Sequence, residues 1–181
     1  MRTIGGEKFL NPEQLLIDVG VTQGMRIADL GSGSGYATFP AAKMVGKYGM
    51  VYAVDIQKEA LNQITGQAKL LGLENIRTVW SDIEKLGAAN IEPNSIDIAL
   101  LVNVLFFTDR YDYMLKEAAR LTKTGGKIVV VDWKNAGTPF GPPVDQRVDF
   151  ERVDHISKEL GFVKVDSFNV GKYHYGIVYK K

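Results

Sequence analysis

Residues 27–35 read Ile-Ala-Asp-Leu-Gly-Ser-Gly-Ser-Gly, a β-rich run closing in three glycines at alternate positions. Glycine lets a backbone pass close to a ligand, and a helix that starts after such a turn presents free N–H groups to it. The stretch is a candidate binding loop, with a plain tight turn as the alternative. Its spacing excludes two nucleotide chemistries. A dinucleotide fingerprint starting at Gly31 and Gly33 needs its third glycine where Tyr36 stands, and no Gly-Lys-Ser or Gly-Lys-Thr follows to make a phosphate-binding loop. Asp55 lies about 20 residues further on, at the end of another β-rich run, where a carboxylate accepts both hydroxyls of a ribose. The bland alternative is a solvated strand-end Asp. The chain has no Cys, which rules out thiolate catalysis, Cys-based zinc sites and disulfides, and its two histidines are His155 and His174.

Such residues need a sheet to hold them. Short β-rich runs alternate with amphipathic stretches along the chain, which predicts an α/β fold with a mainly parallel sheet. Strands are expected over residues 26–30, 51–55, 77–80, 96–102, 127–131, 163–168 and about 175–179. The run at 96–102 is nearly all apolar, as in a strand covered on both faces. Asn11-Pro12 starts a helix over about 11–20, a possible lid. Further helices begin near Gly35, span 58–71, and follow the apolar stripes from Tyr111 to Leu121 and from Phe150 to Leu160. A short turn near Gly171 makes the last two strands antiparallel. Residues 132–147 hold Gly137, Pro139, Gly141, Pro142 and Pro143, so they form a long irregular connection, and such loops are often functional. No internal repeat interrupts a single domain spanning 1–181.

Four stretches in order resemble the motifs of the class I, Rossmann-like S-adenosylmethionine-dependent methyltransferases. They are Asp29-Leu30-Gly31-Ser32-Gly33-Ser34-Gly35, Val51-Tyr52-Ala53-Val54-Asp55, Ser81-Asp82-Ile83 and Leu121-Thr122-Lys123-Thr124-Gly125-Gly126-Lys127. The likeness runs from about Asn11 to Tyr179, and the overall look is of the small ubiquinone/menaquinone-biosynthesis-like branch. It implies a doubly wound, mainly parallel seven-stranded sheet of order 3-2-1-4-5-7-6, its last strand antiparallel, with helices on both faces. It implies S-adenosylmethionine as cofactor, with S-adenosylhomocysteine as product. The cofactor contacts it implies are Asp29, Gly31, Ser32, Gly33, Gly35 and Asp55, with Ile56 and Ile83 around the adenine and Asp82 on its amino group. Asp82 has a second reading as a helix cap. Asn103 ends the fourth strand at the topological switch point, where open α/β sheets bind ligands; in the family this strand end lies near the transferred methyl. Amine methyltransferases acting on nucleobases often carry Asn- or Asp-Pro-Pro-aromatic there. Asn103-Val104-Leu105-Phe106 departs from that pattern, so that activity loses support.

The implied sheet order puts the final hairpin turn at the carboxyl edge of the parallel strands. Tyr173 and His174 would then approach Trp133, Lys134 and the 132–147 loop, which makes Phe106, Trp133, Arg147, Tyr173 and His174 the acceptor-side candidates. His174 is the candidate catalytic base, with a structural role as the alternative; His155 lies off its helix's apolar stripe. Arg147 has the geometry to hold a carboxylate or phosphate bidentately, or to make a surface ion pair. Phe106, with Leu105 and Phe107, lines a pocket or simply packs in the core.

Lys and Arg number 22 against 21 Asp and Glu, for a net charge of +1. That balance gives no electrostatic reason to expect a nucleic-acid or anionic-membrane partner. The longest apolar stretch, 98–107, is far short of the roughly 20 residues that span a bilayer. Residues 1–8 show no apolar signal region, so a soluble cytoplasmic domain is expected. The lack of Cys counts against arsenite-methylating members, and no acidic cluster points to a metal. The function implied is methyl transfer to a small-molecule acceptor. The rivals are a protein that binds the cofactor without turnover and a nicotinamide dehydrogenase, against which the glycine spacing argues.

Overall fold

A computed structural model describes residues 3–4, 10–135 and 140–181. Residues 136–139 of the predicted 132–147 connection, and all but 3–4 of the first nine residues, lie outside the described residues. The strands are β1 (Thr3–Ile4), β2 (Arg26–Leu30), β3 (Met50–Asp55), β4 (Ile76–Trp80), β5 (Ile96–Val102), β6 (Thr122–Trp133), β7 (Val163–Val170) and β8 (His174–Lys180). The α-helices are α1 (Pro12–Asp18), α2 (Thr38–Val45), α3 (Lys58–Leu70), α4 (Tyr111–Leu121) and α5 (Phe150–Glu159). They form one sheet of order β1-β7-β8-β6-β5-β2-β3-β4. Strands β2 to β8 reproduce the expected 3-2-1-4-5-7-6 order, and β8 runs antiparallel to both β6 and β7. The difference is an eighth strand, β1, which pairs parallel with β7 at Asn169 and Val170. Two residues are too few to show the alternation by which a strand is recognised.

The local signals act as expected. The Asn11 side chain accepts the Gln14 N–H at 3.1 Å and Pro12 opens α1, meeting donors that a helix start leaves free. Along the central strands successive side chains enter opposite layers. Ala28, Leu30, Ala99, Leu101, Ile128 and Val130 meet α4 and α5, while Ile27, Ile98, Leu100, Val129 and Val131 meet α1 and α2. Both faces are therefore dry, which explains the unbroken apolar run of β5. Among the described residues no helix is long and apolar enough to cross a membrane.

One crossover has no helix. Residues 81–95 lead from β4 back to β5 as turns and irregular chain, and a buried ion pair on α4 supplies the hydrogen bonds a helix would make internally. The Glu117 carboxylate, fully buried, accepts the Gly87 and Ala89 amides at 2.7 and 3.2 Å. Arg120 donates to the carbonyls of Ala89 and Ile91 and to Glu117 itself at 2.7 Å. Burial pushes the Glu117 carboxyl up, but Arg120 and the two amides outweigh it and hold the group below the usual carboxylate range.

Candidate functional site

Strands β2, β3 and β5 end at one edge of the sheet, and a cavity of about 550 Å³ opens there. Its wall includes Asp29, Gly31, Ser32 and Gly33 from the glycine loop, Asp55 and Ile56 after β3, Ser81, Asp82, Ile83 and Glu84 after β4, and Asn103 after β5. This is the crevice where the strand order reverses, the ordinary ligand site of an open α/β sheet.

The loop's chemistry is set by what its amides already hold. Gly31 and Ser32 both donate to the Val54 carbonyl, at 2.8 and 3.0 Å, and Gly35 donates to Ser32. The Gly33 amide donates to Asp55 Oδ2 at 2.8 Å, and Gln57 donates to Asp55 Oδ1 at 2.9 Å. These donors are met inside the protein, and the Asp29 carboxylate sits at the start of α2, where it accepts the Thr38 hydroxyl. A helix N-terminus filled by a carboxylate has no room for phosphate, because the two anions would compete for the same donors. The amides of Gly31, Ser32, Gly33 and Gly35, expected from the sequence to be free, thus have partners within the protein. A carboxylate offers about four lone-pair sites, so Asp55 keeps capacity for two hydroxyl donors after its two amides.

Asp29 is buried, and Thr38 Oγ1 donates to its Oδ2 at 2.6 Å. Burial, and secondarily the nearby Asp55, push its pKa up to about 6 against the pull of Thr38. Three further polar atoms in the wall, Ser32 Oγ, Ser81 Oγ and Asn103 Oδ1, are buried with no hydrogen-bond partner among the described residues. Buried polar groups are normally paired, so a wall with three orphans fits a polar ligand. Asn103 also carries φ +52°, a left-handed backbone that costs about 1–3 kcal/mol and clusters at functional sites.

Other predicted residues sort by position. Ile56 and Ile83 lie on the wall together, and the Ile56 carbonyl is fixed by Trp80 Nε1 at 2.9 Å. Asp82 lines the cavity and accepts the Glu84 amide at 3.0 Å, but it starts a turn and caps no helix, since none forms between β4 and β5. Gly35 faces away, where a side chain would collide with Phe39 and Ile64. Phe106 packs against the core, and the short 3-10 turn Leu105–Phe107 turns Phe107 into the cavity in its place.

The hairpin lies at the expected edge. Trp133 is paired with His174, their rings 4.2 Å apart, and the Lys134 amide donates to the Tyr173 carbonyl. Trp133, Arg147, Tyr173 and His174 are nevertheless absent from the cavity wall, because β6 stands between β5 and β8. His174 is 3% exposed, and burial with Lys134 nearby pulls its pKa down to about 4, leaving a neutral ring. Arg147 donates to the carbonyls of Lys134, Pro142 and Phe140 at 2.8, 3.0 and 3.3 Å, so it ties its own loop together.

Sequence reasoning passed over three residues that the structure brings forward. Thr38 holds Asp29; the Tyr36 hydroxyl, on the cavity wall, donates to the Leu10 carbonyl and so ties the segment before α1 to the glycine loop. Asp132, fully buried on β6, accepts the Trp133 amide at 2.8 Å and the Leu105 amide at 3.1 Å, which anchors the 3-10 turn. Burial pushes its carboxyl up to about 7 against those amides.

Sheet order, switch-point cavity and paired carboxylates define a class I, Rossmann-like S-adenosylmethionine-dependent methyltransferase fold. The chain belongs to the methyltransferase domain family, whose profile matches residues 21–164. It is similar to the ubiquinone/menaquinone biosynthesis C-methyltransferase of Laribacter hongkongensis, 31% identical over 131 residues, covering 72% of this chain and 52% of that protein. It is also similar to the arsenite methyltransferase of Aquipseudomonas alcaligenes, 31% identical over 121 residues, covering 65% of this chain and 35% of that protein. The chain thus spans about half or less of these curated relatives. A solved S-adenosylmethionine-dependent methyltransferase from Aquifex aeolicus superposes with a TM-score of 0.86 at 28% identity, over 94% of this chain and 89% of that one.

Proposed function

We propose that the chain binds S-adenosylmethionine in the switch-point cavity and transfers its methyl group to a small uncharged molecule held at the Asn103–Phe107 end. The observation that carries this reading is the glycine loop, with the amides of Gly31, Ser32, Gly33 and Gly35 satisfied internally, and two carboxylates, Asp29 and Asp55, on the cavity wall. Such a wall receives hydroxyls and an ammonium group and repels phosphate, which separates it from a dinucleotide site. The bound cofactor supplies a methyl on a sulfonium, already a good leaving group.

The chain's own residues then bind and orient. Asp55 receives the ribose hydroxyls, Ile56 and Ile83 flank the adenine, Asp82 takes its amino group, and Asp29 faces the ammonium. Val104, Phe107 and Met114 give the acceptor end an apolar wall, with Asn103 as a polar group beside it. Alignment of two reactants in a dry pocket is the main contribution asked of the protein. We assign His174 and Arg147 to packing and loop closure instead of proton transfer or anion binding, since both are buried away from the cavity. The likeness to an arsenite methyltransferase is not carried over to substrate, because this chain has no Cys to offer arsenic and arsenic prefers soft thiolate ligands.

Titration calorimetry with S-adenosylhomocysteine and with NADH tests the site; tighter binding of NADH would reject the reading. An acceptor screen that follows S-adenosylhomocysteine release tests the transfer, and binding without release from any acceptor would leave a cofactor-binding protein. Asp55→Ala is expected to weaken S-adenosylhomocysteine binding by about 1.5–3 kcal/mol, the range for hydrogen bonds to a charged group. Unchanged affinity in a folded variant would refute the ribose assignment.

A further inference from the structure

Helix α2 begins at Thr38 without help from its own N-cap, since Ala37 has no side chain to offer. The Asp29 carboxylate reaches the helix start from the neighbouring strand end, receiving the hydroxyl of Thr38 at 2.6 Å. Thr38 is itself fully buried, and Asp29 is 2% exposed yet lies on the cavity wall. One side of the carboxylate is therefore pinned to α2, and its remaining lone pairs are left for the cavity. Pinning matters because, among the described residues, no cation acts on Asp29. From β3, Asp55 opposes its ionisation. From the loop after β4, Asp82 and Glu84 reach the same cavity, bridged to Lys85 and Arg110 at 3.2 and 3.4 Å. Tyr36 approaches from the turn before α2, and the β5 end contributes the uncharged Asn103.

We propose that Thr38 is a positioning residue for the cofactor, its hydroxyl keeping the Asp29 carboxylate ionised and aimed at the ammonium end of bound S-adenosylmethionine. This rests on the cofactor reading above. Without the hydroxyl, a buried carboxylate facing a second carboxylate takes up a proton more readily and loses its attraction for a cation. With it, Asp29 is mostly ionised at pH 7, in keeping with a pKa of about 6.

Calorimetry with S-adenosylhomocysteine between pH 5.5 and 8.5, on the parent chain, Thr38→Val and Thr38→Ser, tests the proposal, with melting temperatures taken as a check on folding. Parental affinity should fall as the pH drops through about 6. Thr38→Val should bind about eightfold more weakly at pH 5.5 and about twofold more weakly at pH 7, the effect of raising the Asp29 pKa by roughly one unit, with its fall beginning at higher pH. Thr38→Ser should restore both strength and profile. A parental profile in Thr38→Val overturns the proposal. So does an equal loss at every pH that serine does not recover, since that is the behaviour of a helix-start residue alone. Failure of the parent chain to bind S-adenosylhomocysteine at any pH would instead sink the cofactor reading.

Discussion

Gly33→Val is expected to abolish S-adenosylhomocysteine binding, a loss of at least ~100-fold, the scale of forcing extra methyl groups into a filled space. A Cβ at Gly33 meets no protein atom within 4 Å, and the residue lines the cavity, so a side chain there enters the volume the ligand needs. The backbone adds a second penalty. Gly33 has φ +50°, where a β-branched residue is a genuine outlier. Strain alone would lower stability without touching affinity, so a matched control is required. Gly161, at φ +82°, also has an open Cβ position but lies at the turn after α5, away from the cavity. Gly161→Val should carry comparable strain and bind normally. If Gly33→Val, shown folded by its melting curve, bound within a few-fold of the parent chain, the loop would not be where the ligand sits.

What the sequence disclosed and what it hid divide along a physical line. The glycine loop, Asp55 and the strand order were legible because each depends on local spacing: a strand end, a turn, and a carboxylate at the next strand end. The acceptor side was not, because membership of the cavity wall depends on which face a residue takes. The edge on which Trp133 and His174 meet was foreseen, but their pairing sets the two rings against each other at 4.2 Å and buries His174. Arg147 looked like an anion ligand because its three carbonyl partners lie in segments whose irregular path has no periodicity to read. Phe106 and Phe107 are adjacent and chemically identical, so only the 3-10 turn decides between them. Thr38 escaped notice because a threonine at a helix start has an ordinary explanation; its meaning appears once Asp29 is seen to need a donor.

The order of the strands also bears on how far the fold can do without helices, and Arg120 is where that is tested. Arg120→Ala is expected to destabilise the chain by about 3–5 kcal/mol at pH 7, the cost of leaving one partner of a buried ion pair uncompensated. Glu117 would stay fully buried with two amides but no cation, the Ile91 carbonyl would lose its Arg120 donor, and the Ala89 carbonyl would keep only the Ile91 amide. The effect should depend on pH with a definite sign. In the parent chain Glu117 is held below its ordinary value, so its contribution is present above the unfolded-state pKa and is lost as the pH falls through the folded one. In the variant, burial acts unopposed by Arg120 and raises the Glu117 pKa, so the group favours folding at low pH and opposes it as the pH rises. Urea unfolding at pH 7 and pH 4 should show the gap between parent and variant narrowing at the lower pH. Glu117→Met combined with Arg120→Met removes both charges and should recover part of the loss, because apolar side chains of similar length refill a buried pair at little cost. A gap that stayed constant with pH would mean that Arg120 acts through its carbonyl contacts alone, and that Glu117 keeps its charge by way of the Gly87 and Ala89 amides.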